Sequence, residues 1–345
     1  MPATAVPPHA VPLIGKHTKL IYTMAQLYSL KETLRTFPRT YLRGIGQVMF
    51  QDNMWSGLLF LAGIVWGAYA EGLGVVAWGM IVGTLVSTIT GYILQLPDQN
   101  GAQGLWGFNG CLVGCAFPTF MGNTIWMWFA LILCSALSTW VRTGLDNVMD
   151  KWNVSSLTFP FVLSTYFFLL ASRLFAGMPP EFMGSPELPT GDAGVLNVEF
   201  GNLVIYWLKG ISQVFLINSW VTGIFFLAAL AVSNIRACIW AAVASAVALA
   251  TVIIWKGPAH DISNGLYGFS AVLTGIALGA TFCNNSWKTV VWTLIGIVVT
   301  VFIQAAMNAF FAPMGLPTLT GPFCVATWLF LFPKYSFFAP QPTKK

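Results

Sequence analysis

Charged side chains are scarce in this 345-residue chain: Lys and Arg number 16 and Asp and Glu 11, together 8% of all residues. Soluble domains average about 25% charged residues. A soluble fold of this length could not cover its surface with so few charges, which excludes a soluble enzyme, a disordered chain and a nucleic-acid binder. The net charge of +5 does not suggest nucleic acid either, because six of the sixteen basic residues precede residue 44.

Several stretches contain no charged residue at all, such as those between Asp98 and Arg142, Lys209 and Arg236, and Lys288 and Lys334. A membrane-spanning helix needs roughly 20 mostly apolar residues. The stretches are too uniformly apolar for the alternating strands of a membrane β-barrel. The sequence therefore predicts an all-α integral membrane protein. Its predicted apolar segments lie near 54–70, 74–95, 125–139, 159–175, 203–217, 220–233, 237–255, 268–281, 289–311 and 323–333.

Histidine occurs only three times, and two of the three copies, His9 and His17, lie in the N-terminal region. Ion-coupled transporters usually place Asp, Glu or His inside the membrane, whereas the acids here fall at segment ends. This pattern disfavours an ion-coupled transporter and a twin-His ammonium channel, and no Asn-Pro-Ala pair suggests an aquaporin. No nucleophile has a plausible base, so we expect no enzyme and no cofactor. The six cysteines lie in apolar runs, which disfavours a disulfide framework or a metal site at Cys111 and Cys115.

Three motifs occur twice, in the same order. Residues 44–48 (GIGQV) return as 210–214 (GISQV), 104–110 (GLWGFNG) as 265–271 (GLYGFSA), and 158–161 (TFPF) as 320–323 (TGPF). The distance along the chain from each motif to its second copy is nearly the same for all three. One such pair would be weak, but three ordered pairs at nearly constant offset predict an internal repeat.

The distribution of charge predicts how the two copies are oriented. The linker at 176–200 carries acids and no Lys or Arg, whereas both chain ends are basic. The positive-inside rule then places both termini in the cytoplasm and the linker outside, so each copy crosses the membrane an odd number of times. We expect two inverted repeats of about five transmembrane helices each, plus short re-entrant half-helices. The predicted regions are a cytoplasmic segment 1–43 with an amphipathic helix between Gly15 and Arg43, repeats 44–175 and 201–333, the extracellular or periplasmic linker 176–200, and a cytoplasmic tail 334–345.

Each copy places one Gln and one Thr among phenylalanines. The amides of Gln47 and Gln213 and the hydroxyls of Thr158 and Thr320 never carry charge. Flat apolar walls would come from Phe50, Phe108 and Phe269. Together these groups suit a small, neutral, planar, polar solute. The alternative is that Gln and Thr serve only to form hydrogen bonds between helices. Separately, the spacings Gly79-x-x-x-Gly83, Gly110-x-x-x-Gly114 and Gly275-x-x-x-Gly279 favour close packing of helices.

With their ordered repetition, the motifs around Gln47, Phe108 and Thr158 resemble those of the urea transporter family, over about residues 44 to 333. The resemblance implies passive urea flow through a channel-like pore in each protomer of a homotrimer. It also implies two urea slots on either side of a constriction formed near Thr158 and Thr320. The slot residues that it implies are Gln47, Val48, Phe50 and Phe108 in the first copy and Gln213, Val214, Leu216 and Phe269 in the second. Leu216 stands where the first copy has Phe50, so the two slots are not equivalent.

Two other functions stay open at this point. The same architecture could pass another small neutral solute, such as a short amide, ammonia or water. A membrane scaffold or receptor could use the broken helices only for packing. The expected partners are urea, membrane lipid and further copies of the chain, with no nucleic acid. The expected location is the inner or plasma membrane of the cell, which the chain crosses several times.

Overall fold

The computed structural model describes residues 35–96, 98–190 and 193–336. The chain forms two compact units, Met1–Pro38 and Arg39–Lys345. Nearly all of the first unit lies outside the described residues, and so does most of the amphipathic helix expected between Gly15 and Arg43. The second unit contains both copies of the repeated motifs.

The first copy is a run of helices joined by short turns. The described part of α1 covers 35–47, and it is followed by α2 (Met54–Ala70), α3 (Gly74–Ile93), the short α4 (Asp98–Ala102), α5 (Phe108–Phe120), α6 (Ile125–Met149) and α7 (Phe159–Ser172). A single 3₁₀ turn, Asp150–Trp152, follows α6.

The second copy repeats this order element by element. Its helices are α8 (Phe200–Ser212), α9 (Trp220–Ser233), α10 (Ile235–Ile254), the short α11 (Ala259–Ser263), α12 (Phe269–Ile276), α13 (Trp287–Phe311) and α14 (Gly321–Leu331). The 3₁₀ turn Ala312–Met314 follows α13 as its counterpart follows α6. The expectation of an all-helical chain is confirmed over the described residues.

Four helical segments of the described chain are long and apolar enough to cross a membrane, two in each copy. They are Gly74–Ile93, Ile125–Trp152, Ile235–Ile254 and Trp287–Met314. A fifth span is formed if the bent pair Phe200–Phe215 and Trp220–Ser233, which turns by 70°, counts as one. The remaining apolar helices have 10–17 residues. This mixture of long spans and short apolar helices makes the chain a multi-pass membrane protein.

Side-chain caps fix where the long helices begin. The Thr124 hydroxyl accepts a hydrogen bond from the backbone N–H of Met127 at 3.1 Å, and Ser286 caps α13 in the same way through Thr289 at 3.2 Å. Thr124 and Ser286 are separated by the same distance along the chain as Thr158 and Thr320 of the third repeated motif. A capping hydroxyl satisfies one of the helix's free N–H groups and adds about 1 kcal/mol of stability.

Two exchanged hydrogen bonds join the copies through α2 and α9. The Ser56 hydroxyl donates to the carbonyl of Ala229 at 2.5 Å, and the Thr222 hydroxyl donates to the carbonyl of Gly63 at 2.9 Å. Ser56 and Thr222 occupy equivalent positions in the two copies, and so do Gly63 and Ala229. A contact that each partner returns at its own equivalent position is the mark of a two-fold relation. The internal repeat inferred from the sequence is therefore also present in the packing.

The backbone repeats its strained positions as well. Phe50 and Leu216 adopt left-handed φ values of 63° and 61°, and Leu157 and Leu319 adopt 54° and 50°. Bulky residues rarely adopt this conformation, because Cβ then crowds the following carbonyl oxygen. Each pair lies at a turn beside one of the repeated motifs. The same unusual turn geometry therefore ends or begins corresponding short helices in both copies.

Helices α3 and α5 approach each other closely along two glycine pairs. A methyl group on Gly114 would overlap the carbonyl oxygen of Gly79, and one on Gly83 would overlap that of Gly110. The close packing expected from the two glycine spacings in the first copy is confirmed. In the second copy Gly275 and Gly279 face Ala244 and Trp240 instead of glycines, so glycines lie on only one side of that interface.

Candidate functional site

A cavity of about 460 Å³ opens in the first copy between the end of α1 and the starts of α5 and α7. Its lining includes the five residues predicted for the first copy: Gln47, Val48, Phe50, Phe108 and Thr158. These residues lie in or beside three motifs that are far apart along the chain, and the fold brings them to one cavity. The five residues predicted in the second copy do not belong to this cavity's described lining.

Each predicted glutamine is anchored by its amide nitrogen to the loop before the second motif. Gln47 Nε2 donates to the carbonyl of Gln103 at 2.8 Å, and Gln213 Nε2 donates to that of Asn264 at 2.9 Å. The two bonds are equivalent under the repeat. Because a primary amide has one NH₂ and one carbonyl, this anchoring fixes the amide plane and leaves the carbonyl oxygen as an acceptor.

The valines that follow the glutamines, Val48 and Val214, are buried, each only 1% exposed. Val48 still belongs to the cavity lining. Because a valine side chain has no polar atom, the peptide group is the only part of Val48 that can form a hydrogen bond with a solute.

The ring of Phe50 reaches across to the second copy. Its centroid lies 5.7 Å from that of Phe282 and 6.0 Å from that of Phe323, both in edge-on geometry. Aromatic contacts from the other half of the chain therefore hold the Phe50 ring that lines the cavity. Edge-on contacts are a favoured arrangement of aromatic pairs.

Leu216, the counterpart of Phe50, keeps the left-handed backbone but supplies no flat surface. The adjacent Phe215 does not replace it. That ring is fully buried and packs on Phe60 and Phe226, with centroids 5.7 Å and 5.0 Å away. The two equivalent positions therefore present different side chains, and the inequality of the two slots stays a prediction.

Thr158 and Thr320 meet where the two copies touch. They directly precede α7 and α14, and Pro160 and Pro322 in the first turns favour helix starts at these points. Their Oγ1 atoms lie 2.6 Å apart, and both residues are 3% exposed. Cys324 Sγ lies 3.3 Å from Thr158 Oγ1. The two predicted hydroxyls therefore form one hydrogen-bonded pair, of which Thr158 belongs to the lining of the cavity.

Phe108 and Phe269 begin α5 and α12 and are 6% and 7% exposed. Phe108 lies in the cavity lining, whereas Phe269 occupies the equivalent position in the second copy. Both follow a glycine with positive φ in their motif, Gly104 at 80° and Gly265 at 72°. A side chain at either glycine would collide with α1 or α8, so glycine allows the loop to pass close to these helices.

Two charged residues that sequence reasoning did not select, Asp52 and Arg142, also line the cavity. Charged groups therefore belong to the lining of this cavity beside the neutral groups selected from the sequence. Asp52 pairs with Arg43 at 3.1 Å, and Arg142 pairs with Asp146 at 3.2 Å. Burial raises the pKa of the Asp52 carboxyl, and the charge of Arg43 opposes that shift.

A comparison of equivalent positions in the two copies would have pointed to Asp52 and Arg142. At the same offsets the second copy has Asn218 for Asp52 and Gln304 for Arg142. A charge present in only one of two otherwise matching copies marks a position where the copies differ in chemistry. In the described part of the chain, no group of three His, Cys, Asp or Glu side chains is arranged to hold a metal ion.

The chain matches known proteins over most of its length. A family model described as urea transporter matches residues 39–335. Urea transporter 1 of Ovis aries is 32% identical over 303 residues, which cover 84% of this chain and 75% of that protein. Urea transporter 1 of Rattus norvegicus is 30% identical over 313 residues, which cover 87% of this chain and 78% of that protein.

Proposed function

The chain belongs to the urea transporter family, and on that premise we propose that it lets urea cross the membrane passively, down its own gradient, through a narrow pore in each protomer. Urea transport is the activity of the family, which is a transport family and not an enzyme family. The finer points proposed here are the passive mechanism, the residues of the pore, the inverted orientation of the two copies and the assembly of three chains.

The observation that carries the proposal is the hydroxyl pair of Thr158 and Thr320, in which Thr158 lines the same cavity as Phe50 and Phe108. Urea is flat and neutral and has N–H donors along its edges. Aromatic faces accommodate a flat solute, and the hydroxyl oxygens can replace the water that its donors lose. An unpaired buried donor costs about 1–3 kcal/mol, so such acceptors lower the barrier most for a solute with N–H edges.

A passive mechanism is supported by the pairing of charges beside the cavity. The Asp52 carboxylate is held by Arg43, and Arg142 is held by Asp146. No histidine belongs to the described lining. A proton- or ion-coupled transporter needs a titratable group that changes partners during transport. Here both charged residues of the lining, Asp52 and Arg142, already have a fixed ion-pair partner.

The proposed orientation follows from charge and from the two-fold packing. Basic residues gather at the N-terminal end, and the linker carries acids. With the exchanged hydrogen bonds of Ser56 and Thr222, this favours two copies of opposite direction, with both termini cytoplasmic. The trimer is proposed from family membership alone, and cross-linking in native membranes tests it.

Stopped-flow light scattering on proteoliposomes tests passive flow. We expect fast urea flux that saturates only at high urea concentration and is driven by the urea gradient alone. A proton or sodium gradient without a urea gradient should move no urea. The decisive control is Asp52→Asn, which installs the residue found at the equivalent place in the second copy. Uphill urea movement that is driven by a pH gradient and lost in this variant would show coupling through Asp52 and refute the passive mechanism.

Replacing either glutamine with alanine should lower urea flux about tenfold, because a solute donor then loses an acceptor worth about 1–1.5 kcal/mol. The measurement is urea flux per folded protein for Gln47→Ala and Gln213→Ala, with folding followed by thermal unfolding. Gln51→Ala is the matched control, since Gln51 is buried and its Nε2 donates to the local carbonyl of Met49. Wild-type flux in both pore variants would remove these glutamines from the path.

A further inference from the structure

Arg142 is an arginine inside a candidate membrane span. It lies in Ile125–Trp152, its side chain is only 10% exposed, and it belongs to the lining of the cavity. A charged side chain within a membrane span is costly, so its retention points to function and calls for an identified partner.

The guanidinium group is held in place from three sides. Its Nη1 donates to the carbonyl of Leu105 at 2.7 Å, its Nη2 pairs with Asp146 at 3.2 Å, and its Cζ lies 5.5 Å from the centroid of the Phe108 ring. Asp146 in turn accepts from the backbone N–H of Ser156 at 3.1 Å and does not belong to the described lining of the cavity. The cavity therefore meets the positive member of this ion pair, placed over the ring that forms a slot wall.

In the second copy, neutral residues occupy the positions equivalent to this ion pair. Gln304 stands for Arg142 and Asn308 for Asp146, at the offset of the third repeated motif. Gln304 Nε2 donates to Asn308 Oδ1 at 3.0 Å and to Thr318 Oγ1 at 2.5 Å. Since a neutral pair serves the fold in one copy, folding alone does not require the ion pair in the other.

We propose that Arg142 is a specificity-determining residue that keeps small planar cations out of the urea path. The proposal rests on the proposed function. Acceptor oxygens bind the N–H edges of a cation as readily as those of urea, and the face of an aromatic ring attracts cations. A slot made only of these groups would favour guanidinium or ammonium over urea. A fixed positive charge over the Phe108 ring reverses that preference by repulsion and leaves neutral urea unaffected.

The other charges at the cavity do not cancel this effect. Asp52 is the one acidic residue in the described lining, and its carboxylate is paired with Arg43. Asp146 lowers the net charge of its pair with Arg142, but it lies outside the described lining, so the pair presents its positive guanidinium end to the cavity. An incoming cation thus meets Arg142 at the slot with no unpaired carboxylate of the described lining to balance it.

Guanidinium is the sharpest probe, because it has the shape and N–H edges of urea and differs chiefly in its charge. The experiment measures guanidinium and urea permeability at millimolar concentrations in the same proteoliposomes. The quantity compared between variants is the ratio of guanidinium permeability to urea permeability. In the wild type we expect the ratio to be at least about tenfold below one, and in Arg142→Gln/Asp146→Asn, which copies the second half, to rise at least about tenfold. Asp146→Asn alone keeps the guanidinium group and should leave guanidinium excluded.

Each outcome decides the matter. A wild-type protein that passes guanidinium as fast as urea overturns the proposal, and so does an unchanged ratio in the double variant when its urea flux persists. A structural role for Arg142 predicts that urea flux and thermal stability fall together with no change in the ratio. If urea flux is lost in both the double variant and Arg142→Gln, the proposal also falls. Absence of urea flux in the wild type would instead refute the proposed function.

Discussion

Replacing Thr158 and Thr320 together with valine is expected to lower urea flux about a hundredfold, with little change in the amount of folded protein. Valine keeps the shape of threonine but removes both hydroxyls at the point where the copies meet. Each unmade hydrogen bond to a dehydrated solute donor costs about 1–3 kcal/mol, and about 1.4 kcal/mol corresponds to a factor of ten. The measurement is stopped-flow urea flux, normalised to folded protein.

Thr327→Val is the matched control for this variant. Thr327 lies in α14 as well, two turns beyond Thr320, and its buried hydroxyl has no hydrogen-bond partner in the structure. Removing that hydroxyl should leave urea flux at the wild-type level and stability the same or slightly higher. A double variant of Thr158 and Thr320 with wild-type flux would show that urea takes another route through the protein.

A single methyl group at Gly114 is expected to remove most of the folded protein. The new Cβ would overlap the carbonyl oxygen of Gly79, and because the obstacle is backbone, no side chain can rotate to make room. Helices α3 and α5 would have to separate along the whole interface shared with Gly83 and Gly110. Overpacking typically costs about 1–3 kcal/mol, and a clash with backbone lies at or beyond the upper end. Size-exclusion profiles and thermal unfolding of Gly114→Ala measure the effect.

Gly144→Ala isolates the packing effect from the general effect of changing a helical glycine. Gly144 lies in α6 with no atom within 4 Å of the added methyl group. Alanine there should stabilise the helix by about 0.5–1 kcal/mol, because glycine is a poor helix former. If both glycine variants behaved alike, the close approach of α3 and α5 would not limit stability.

The repeat and most of the helices could be predicted because they depend on local patterns. Charge-free stretches predicted the spans, and recurring motifs predicted an internal repeat in which Gln47 and Gln213 correspond. The structure bears this out in their matching hydrogen bonds to Gln103 and Asn264. Sequence spacing could not show that Phe50 packs on Phe282 and Phe323, since those contacts join opposite halves of the chain.

The sequence pattern could not identify Arg142 as a cavity residue, for a physical reason. Counting charges along the chain showed where they are absent, but not that a charge at the end of such a stretch turns inward over an aromatic ring. The direction of a long side chain depends on the turn of its helix and on distant partners, here the carbonyl of Leu105. Only a comparison of the two copies position by position, which sets Gln304 against Arg142, would have pointed to it.

The exchanged hydrogen bonds of Ser56 and Thr222 make each half of the chain depend on the other. Each hydroxyl finds its acceptor only in the opposite half, on Ala229 or Gly63. A polypeptide of half this length could make the same hydrogen bond only with a second copy of itself, related to it by a two-fold axis. The 345-residue chain thus makes this two-fold contact within a single molecule, and its two copies differ in sequence at positions such as 142 and 304.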